Sequence, residues 1–301
     1  MKKKLISSIA FISIVSMLFV TAGCGVRING KDYTIFKANN EDNNNKNTVT
    51  TEEATGNNES ETAEGNTKIV EDIGNGDVLN IHNNAGNITI KKSDDTNLVV
   101  EIQKKIRGVS SKEIKDVFRT MNLSLERDGK DLNVVLKTKN GKDFWDWNKL
   151  DLELLKCSIN YIVSVPEGVK AINAETGAGN IDIKEVSAMI TANTGAGNIE
   201  LDRVSATEET TLETGTGNVD FDGDIDKVTS FRASTGVGNV RLKVPENTKM
   251  SLSAETGLGH LSGFFVDSDE KVKNSFNGDI NGGGPEVNLS TGVGNTEVDR
   301  Q

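Results

Sequence analysis

The pentapeptide Thr-Gly-x-Gly-Asn occurs five times in the chain, and this repetition limits the folds that the chain can adopt. A sixth copy ends in His, and a looser relative, Asn84-Ala85-Gly86-Asn87, precedes the others. Successive copies begin 18, 20, 21, 21 and 35 residues apart, and a period near 20 is typical of stacked repeat architectures. The copies are Thr176–Asn180, Thr194–Asn198, Thr214–Asn218, Thr235–Asn239, Thr256–His260 and Thr291–Asn295.

Apolar residues alternate with polar ones on both sides of the copies, as in Ile172 and Ala174 before the first copy and Ile181 and Ile183 after it. This alternation indicates half-buried strands, and glycine permits turns that other residues resist. Each repeat therefore predicts strand, tight turn and strand. We predict that residues 69–301 form an all-β, β-helix-like solenoid with about 20 residues per coil. A sandwich built from β-hairpins is the alternative.

Equivalent residues of successive coils lie about 4.8 Å apart, so identical side chains can bond to one another along the stack. We expect an asparagine ladder of this kind, and the repeated threonines can pair in the same way. His260 replaces Asn at its position and is interpreted as a structural substitution. The predicted ladder consists of Asn180, Asn198, Asn218, Asn239 and Asn295.

The first 24 residues have the pattern of an export signal. Lys2–Lys4 are followed by an apolar stretch, Leu5–Val20, and then by Thr21-Ala22-Gly23-Cys24, which resembles a bacterial lipobox. The sequence predicts cleavage before Cys24 and acylation of that residue, which would anchor the protein to the outer face of the bacterial cell membrane. A plain signal peptide is the alternative. Residues 25–68 are rich in Asn, Thr and Glu and predict a flexible tether.

The charge and the cysteines restrict the possible functions. The net charge of −11 does not favour binding to nucleic acid or to anionic lipid. Once Cys24 is acylated, Cys157 has no second cysteine with which to form an internal disulfide. It lies in an apolar run, and we expect a buried, inert thiol.

Three stretches interrupt the regular pattern. Ser110-x-x-Glu113 matches a capping box and predicts a short helix that covers an end or edge of the solenoid. Trp145 and Trp147 would face the same way on an extended chain, and they are candidate binding residues; packing over the open end of the coils is the alternative. Residues 263–284 form an insertion that is interpreted as a lid or as an end cap, with Val287–Val298 as the final coil.

No catalytic, cofactor or metal constellation emerges from the sequence. His82 and His260 are far apart and lack Cys partners at metal spacing. Acidic residues follow several corners, but the period is near 20 rather than nine, so a calcium β-roll is not favoured. Those residues are Asp182, Glu200, Asp220 and Glu297.

The export signal, the Val-Pro strand ends and the stacked repeats together resemble the DUF4097 family, whose members are provisionally labelled adhesins and are similar to toast-rack and GIN domains. The resemblance covers residues 69–301. It implies a right-handed β-helix-like solenoid, no enzyme activity and no established ligand.

The leading hypothesis is a non-enzymatic, lipid-anchored surface protein that presents a binding face to an envelope protein or a glycan. An envelope-stress scaffold acting with membrane partners is the first alternative. A β-helix enzyme acting on polysaccharide is the second, with Asp202, Asp222 and Asp226 as the nearest acidic cluster.

Overall fold

The computed structural model describes residues 25–28, 31–34, 61–108, 117, 120–151, 156–265 and 274–301. These residues are almost entirely strand, with one helix of described bounds, α1 (Phe144–Asp151). The strands are β1 (Gly25–Ile28), β2 (Lys31–Thr34), β3 (Glu61–Asp72), β4 (Val78–Ala85), β5 (Ile88–Lys92), β6 (Asn97–Gly108), β7 (Met121–Asp128), β8 (Asp131–Thr138), β9 (Lys156–Val165), β10 (Ala171–Ala178), β11 (Ile181–Lys184), β12 (Ser187–Ala196), β13 (Ile199–Thr216), β14 (Val219–Val237), β15 (Val240–Val244), β16 (Met250–Leu258), β17 (Leu261–Gly263), β18 (Ser275–Ile280), β19 (Glu286–Val293) and β20 (Thr296–Arg300).

Parallel strands in register build two faces of a stack. The first face contains β4, β10, β12, the second half of β13, the second half of β14, β19 and β16, in that order. The second face contains β5, β11, the first half of β13, the first half of β14, β15, β20 and β17. Each repeat copy is the corner at which the chain passes between the faces. Each of these strands pairs in parallel with the equivalent strand of a neighbouring coil, and not antiparallel across its own turn as in a β-hairpin. The predicted all-β solenoid is therefore confirmed.

The order of the coils in space differs from their order in the sequence. β19 pairs with β14 on one side and with β16 on the other, and β20 lies in the same way between β15 and β17. The prediction that Val287–Val298 forms the final coil is therefore wrong. This coil instead lies between the coil of Thr235–Asn239 and the coil of Thr256–His260.

Small and apolar side chains fill a narrow interior. Ile172 and Ala174 are almost fully buried, and the position of Ala174 is occupied by Ile81 in the first coil and by Ala or Leu in the later ones. Phe221 and Phe231 meet edge to face with ring centroids 5.0 Å apart. Burying a side chain of this size stabilises the fold by about 1.5–3 kcal/mol, so the stacked interior is the main source of stability.

The asparagines lie in one column, and each bonds to the backbone of the next coil rather than to the next side chain. The Asn180 Oδ1 accepts the N–H of Asn198 at 2.9 Å, and the Asn198 Oδ1 accepts that of Asn218 at 2.8 Å. This arrangement satisfies a backbone donor that the tight corner leaves without a strand partner. The remaining bonds run from Asn87 to Asn160, Asn180 to Asn87, Asn239 to Asn218, Asn295 to Asn239 and His260 to Asn295, donor first.

His260 lies at the outer end of this column. Its backbone N–H donates to the Asn295 Oδ1 at 3.0 Å, as an Asn in the column would. No further described coil places an N–H where the side chain of residue 260 would have to accept it. Only the backbone of residue 260 takes part in the ladder, which explains why His can replace Asn at this one copy.

The threonines of the repeat also bond to the backbone and not to one another. The Thr194 Oγ1 donates to the Gly179 carbonyl at 2.9 Å, and Thr214 does the same to Gly197 at 2.8 Å. A Cβ on Gly197 would lie 2.0 Å from the Gly179 carbonyl oxygen, so the backbones of adjacent corners approach too closely for any other residue.

Antiparallel strands cover the N-terminal end of the stack. β8 and β9 pair in parallel with the first coil, β9 then pairs antiparallel with β6, and β6 with β3. Sheet structure begins before residue 69, where we predict the domain to start, because β3 pairs along its whole length with β6 and β1 pairs with β3. Residues 35–60 of the predicted tether lie outside the described residues, as do residues 1–24.

Two helices bear on the sequence predictions. The predicted helix from Ser110 lies outside the described residues except for Val117 and Thr120, which are helical. Asp143 caps the N-terminus of α1, and its Oδ1 accepts the N–H groups of Trp145 and Asp146 at 2.8 and 3.1 Å. This N-cap shows that the tryptophan stretch is helical and not extended.

The outermost coil is covered on its first face. β18 pairs antiparallel with β16, and Phe276 on β18 packs against Phe265 with ring centroids 4.7 Å apart and the rings tilted by 59°. The described part of the 263–284 insertion therefore includes an end cap, whereas residues 266–273 lie outside the described residues.

A buried carboxylate fixes the junction of the N-terminal antiparallel strands and the first coil. The Asp77 side chain is 2% exposed and accepts from the Arg127 guanidinium and the Gly74 N–H, both at 2.7 Å, with the Lys130 ammonium at 3.3 Å. Burial alone would raise the pKa of Asp77, but the hydrogen bonds from Arg127, Gly74 and Lys130 outweigh it and hold the pKa below its usual value.

We expect Asn239→Ala to lower the free energy of unfolding by about 1 kcal/mol, because the backbone N–H of Asn295 loses its acceptor. His260→Ala is the matched control and should leave stability within about 0.5 kcal/mol of the wild type. Urea titrations of both variants provide the measurement. Equal losses in the two variants would contradict the ladder described above.

Asp77→Asn should destabilise the protein by about 2–3 kcal/mol at neutral pH, because Arg127 and Lys130 lose their buried counter-charge. Since the folded-state pKa of Asp77 is lowered, its contribution is present above the unfolded-state pKa and is lost as pH falls through the folded-state value. Thermal unfolding between pH 7 and pH 3 should show the two proteins converging at low pH. A constant difference would show that the charge is not responsible.

Candidate functional site

The middle residue of each Gly-x-Gly corner projects into solvent. Three of these residues, Val237, Val293 and Leu258, are 51%, 47% and 71% exposed, and they are the large exposed hydrophobic residues among those described. They are neighbours because β19 lies between β14 and β16. An apolar row on a polar surface is a candidate site of contact with another molecule. In spatial order this corner stripe is Ala178, Ala196, Thr216, Val237, Val293 and Leu258.

A row of amide donors runs beside the outer part of the stripe. The Oδ1 atoms of Asn218, Asn239 and Asn295 are fixed by N–H groups of the adjacent coil. Each Nδ2 is thereby turned away from the ladder, and no described protein group accepts a hydrogen bond from it. These three side chains, the amide row, present donors at the coil spacing of about 4.8 Å.

An open groove of about 390 Å³ lies along the amide row. Its opposite wall consists of the outward side chains two residues after each row position, Asp220, Arg241 and Glu297, together with Ser262 of the outermost coil. The strand register places these four residues side by side in that order. We call this the ladder groove, and the corner stripe, amide row and ladder groove together the corner surface.

A second groove of about 410 Å³ continues across the same face and shares Asp220 and Arg241 with the first. It extends to the preceding coil and to the next outward positions along these strands. The additional charged residues are Glu200, Asp202, Asp222 and Lys243.

The charges along these grooves are largely paired. The Arg241 Nε donates to the Asp299 Oδ2 at 2.9 Å and lies 3.6 Å from the Glu297 carboxylate, and the Lys243 ammonium lies 2.8 Å from Asp222. Burial, together with repulsion from neighbouring glutamates, raises the pKa of Asp220 despite the opposing effect of Arg241. The hydrogen bond from Lys243 holds the pKa of Asp222 below its usual value. The surface is polar and structured but not strongly charged.

The tryptophans proposed as binding residues lie far from this surface in the sequence and are packed beside β8 at the N-terminal end of the stack. Trp145 is buried, and Trp147 is half-buried against the core. Phe144 meets both, with ring centroids 5.3 and 5.9 Å away. Because α1 turns these rings inward, the geometry corresponds to the packing alternative rather than to an exposed binding anchor.

The residues considered for catalysis and metal binding are spread over the stack. Asp202 and Asp222 are neighbours in register and line the second groove, whereas Asp226 does not. The Asp182, Glu200, Asp220 column is continuous, but Arg241 separates it from Glu297. Within the described ranges, no group of three or more His, Cys, Asp or Glu side chains is placed to hold a metal ion.

The predicted lipid anchor, Cys24, lies outside the described residues. In the part of the chain that the structure describes, no helix has the length and apolarity that crossing a membrane requires. Cys157 is half-buried, and burial raises the pKa of its thiol to about 12, which keeps it protonated at neutral pH.

No family model and no curated protein matches the chain. Solved structures resemble it in arrangement. A provisionally named cell adhesion protein from Clostridium sporogenes ATCC 15579 is 14% identical with a TM-score of 0.46, over 78% of this chain and 100% of its own. A provisional adhesin from Bacteroides fragilis NCTC 9343 has 13% identity and a TM-score of 0.34, over 78% and 97%. At TM-scores this low the likenesses carry no argument, and the resemblance to DUF4097 stays a prediction.

Sequence reasoning did not single out the corner stripe or Arg241 as a site. The signal was present in the repeat itself, since the variable position of Thr-Gly-x-Gly-Asn changes from Ala to Thr, Val and Leu along the chain. What the sequence did not reveal is that Val293 lies between Val237 and Leu258.

Asp220→Asn and Asp222→Asn should change stability in opposite directions. The raised pKa of Asp220 means that its ionised form destabilises the fold at neutral pH, so Asp220→Asn should raise the melting temperature by about 1–2 °C at pH 7. This gain should disappear as pH falls through the raised pKa. Asp222→Asn should lower the melting temperature at pH 7, since the lowered pKa of Asp222 reports a stabilising charge that is lost in acid. Shifts of equal sign would refute this assignment.

Proposed function

We propose that the chain is a non-enzymatic, lipid-anchored protein of the bacterial cell surface that uses its solenoid to present the corner surface to an envelope or external partner. The export pattern and Cys24 support the anchoring, and the polar segment after them supports display away from the membrane.

The observation that carries the proposal is the convergence of three features on the outer four coils. The exposed apolar side chains Val237, Val293 and Leu258, the amide row and the ladder groove all lie there. The fold requires neither the exposed apolar side chains nor the Nδ2 groups of the amide row, because the interior and the Oδ1 bonds of the ladder already hold the coils together. Binding sites typically combine apolar contact with a few fixed polar groups.

The stack also provides rigidity. Each corner is held by a side-chain bond to the backbone and by close glycine contacts, so the outward groups keep their spacing without a ligand. A surface that is ordered in advance loses little conformational entropy when it binds.

The test uses fluorescent liposomes that carry the full chain, incubated with isolated bacterial cell walls and with whole cells. A Val237→Ser, Val293→Ser, Leu258→Ser variant should reduce retention about tenfold, because roughly 50 Å² of apolar contact is worth a factor of this size. Melting temperature should not change, since all three side chains are exposed.

Ala178→Ser, Ala196→Ser is the matched control, since it alters the same stripe at its other end, and it should leave retention intact. If the triple variant is retained as well as the wild type, the corner surface is not the binding face. If wild-type liposomes are retained no better than empty ones, the display function itself is refuted.

A further inference from the structure

Resting on the proposed function, we infer that the corner surface binds an uncharged, linear, β-linked polysaccharide whose chain lies along the stack, across the coils. The ligand lies in the ladder groove and rests on the corner stripe. It accepts hydrogen bonds from the Nδ2 groups of the amide row and donates to the carboxylates of the opposite wall.

The spacing of the groups supports a polymer aligned with the stack. Asn218, Asn239 and Asn295 offer one identical donor per coil, about 4.8 Å apart. This step is close to the advance per sugar of an extended β-linked glycan, so successive sugars can meet successive donors. The groove covers four coils, about 14 Å from Asp220 to Ser262, which is room for a short run of sugars.

The chemistry of the surface matches a sugar ring. An equatorially substituted pyranose has apolar C–H faces and a rim of hydroxyl groups. Val237, Val293 and Leu258 provide apolar contact, while the Nδ2 groups of the amide row donate to ring and hydroxyl oxygens. Carboxylates such as Asp220 and Glu297 on the opposite wall accept from hydroxyl groups.

The charge distribution selects against anionic polymers. Asp220, Glu200 and Glu297 line the same column as Arg241, whose guanidinium is already bonded to Asp299. An anionic polysaccharide would meet these carboxylates, and the net charge of −11 repels it at a distance. A neutral chain avoids both costs.

The size of the surface also argues for an extended ligand rather than a folded protein. The strip is about 14 Å long and one corner wide, so its area is far below the roughly 800 Å² that each partner contributes to a stable protein interface. Binding at one site should be weak, with a Kd of about 1 mM, and many copies on one membrane would strengthen it by multivalency.

The experiment measures binding of oligosaccharides to the full chain in detergent micelles by titration calorimetry. The probes are cello-oligosaccharides and chito-oligosaccharides from dimer to hexamer, with oligogalacturonate as an anionic comparison. Affinity should rise with length up to about four sugars, one per coil of the groove, and oligogalacturonate should not bind.

The decisive variant is Asn239→Asp, Asn295→Asp. A carboxylate oxygen accepts the same backbone N–H as the amide oxygen, so the ladder persists, while two outward donors are lost. Oligosaccharide affinity should fall about tenfold and melting temperature should stay the same. Asn180→Asp, Asn198→Asp makes the identical change in the ladder outside the groove and should bind like the wild type.

If the aspartate variant is unstable, Leu258→Ser provides a second test, because this side chain is exposed and plays no part in the ladder. Equal affinities of the groove variant and the wild type, equal losses in the groove and control variants, or binding that does not depend on length would each overturn the inference. Retention of liposomes on cell walls that depends on the corner stripe, without oligosaccharide binding, would leave the proposed function standing and assign the surface to a peptide or protein partner.

Discussion

The structure depends on a hydrogen bond between a side-chain carbonyl of one coil and a backbone N–H of the next. Strand pairing satisfies the backbone along both faces, but at each corner the chain turns and a donor is left over. Asn supplies the missing acceptor, as in the bond from Asn218 N–H to Asn198. Thr returns a second bond, to a glycine carbonyl. Together these two side chains allow a tight corner to be repeated without leaving buried polar groups unpaired.

Glycine and this bond depend on each other. A Cβ on Gly238 would lie 1.9 Å from the Gly217 carbonyl oxygen. The corners can therefore approach closely enough for the Asn hydrogen bond only because the residues at these positions are glycines, which have no Cβ. The repeat is therefore a geometric requirement of stacking. It also orients the outward groups, because fixing one end of an amide determines where its other end points.

Much of the architecture could be predicted from the sequence. The period near 20, the alternating flanks and the repeated corner residues predict an all-β solenoid, and the structure confirms it. The details that failed depend on long-range placement. Local pattern does not reveal that Asp131–Thr138 pairs with the first coil, that Glu61–Asp72 is a strand, or that the amide bonds to backbone. The corner surface was missed for the same reason, since its residues are contributed by four separated segments.

The position of β19 and β20 has a consequence for how the molecule reaches its native state. β16 and β17 precede β19 and β20 in the chain, yet in the stack β16 pairs with β19 and β17 pairs with β20 at the outer end. A chain that folds from its N-terminus can add coils one at a time only as far as β15. Beyond that point the outer coil has no surface on which to settle until residues 286–300 have emerged. The two outermost coils, which carry Val293 and Leu258, must therefore assemble together in a single late step of folding.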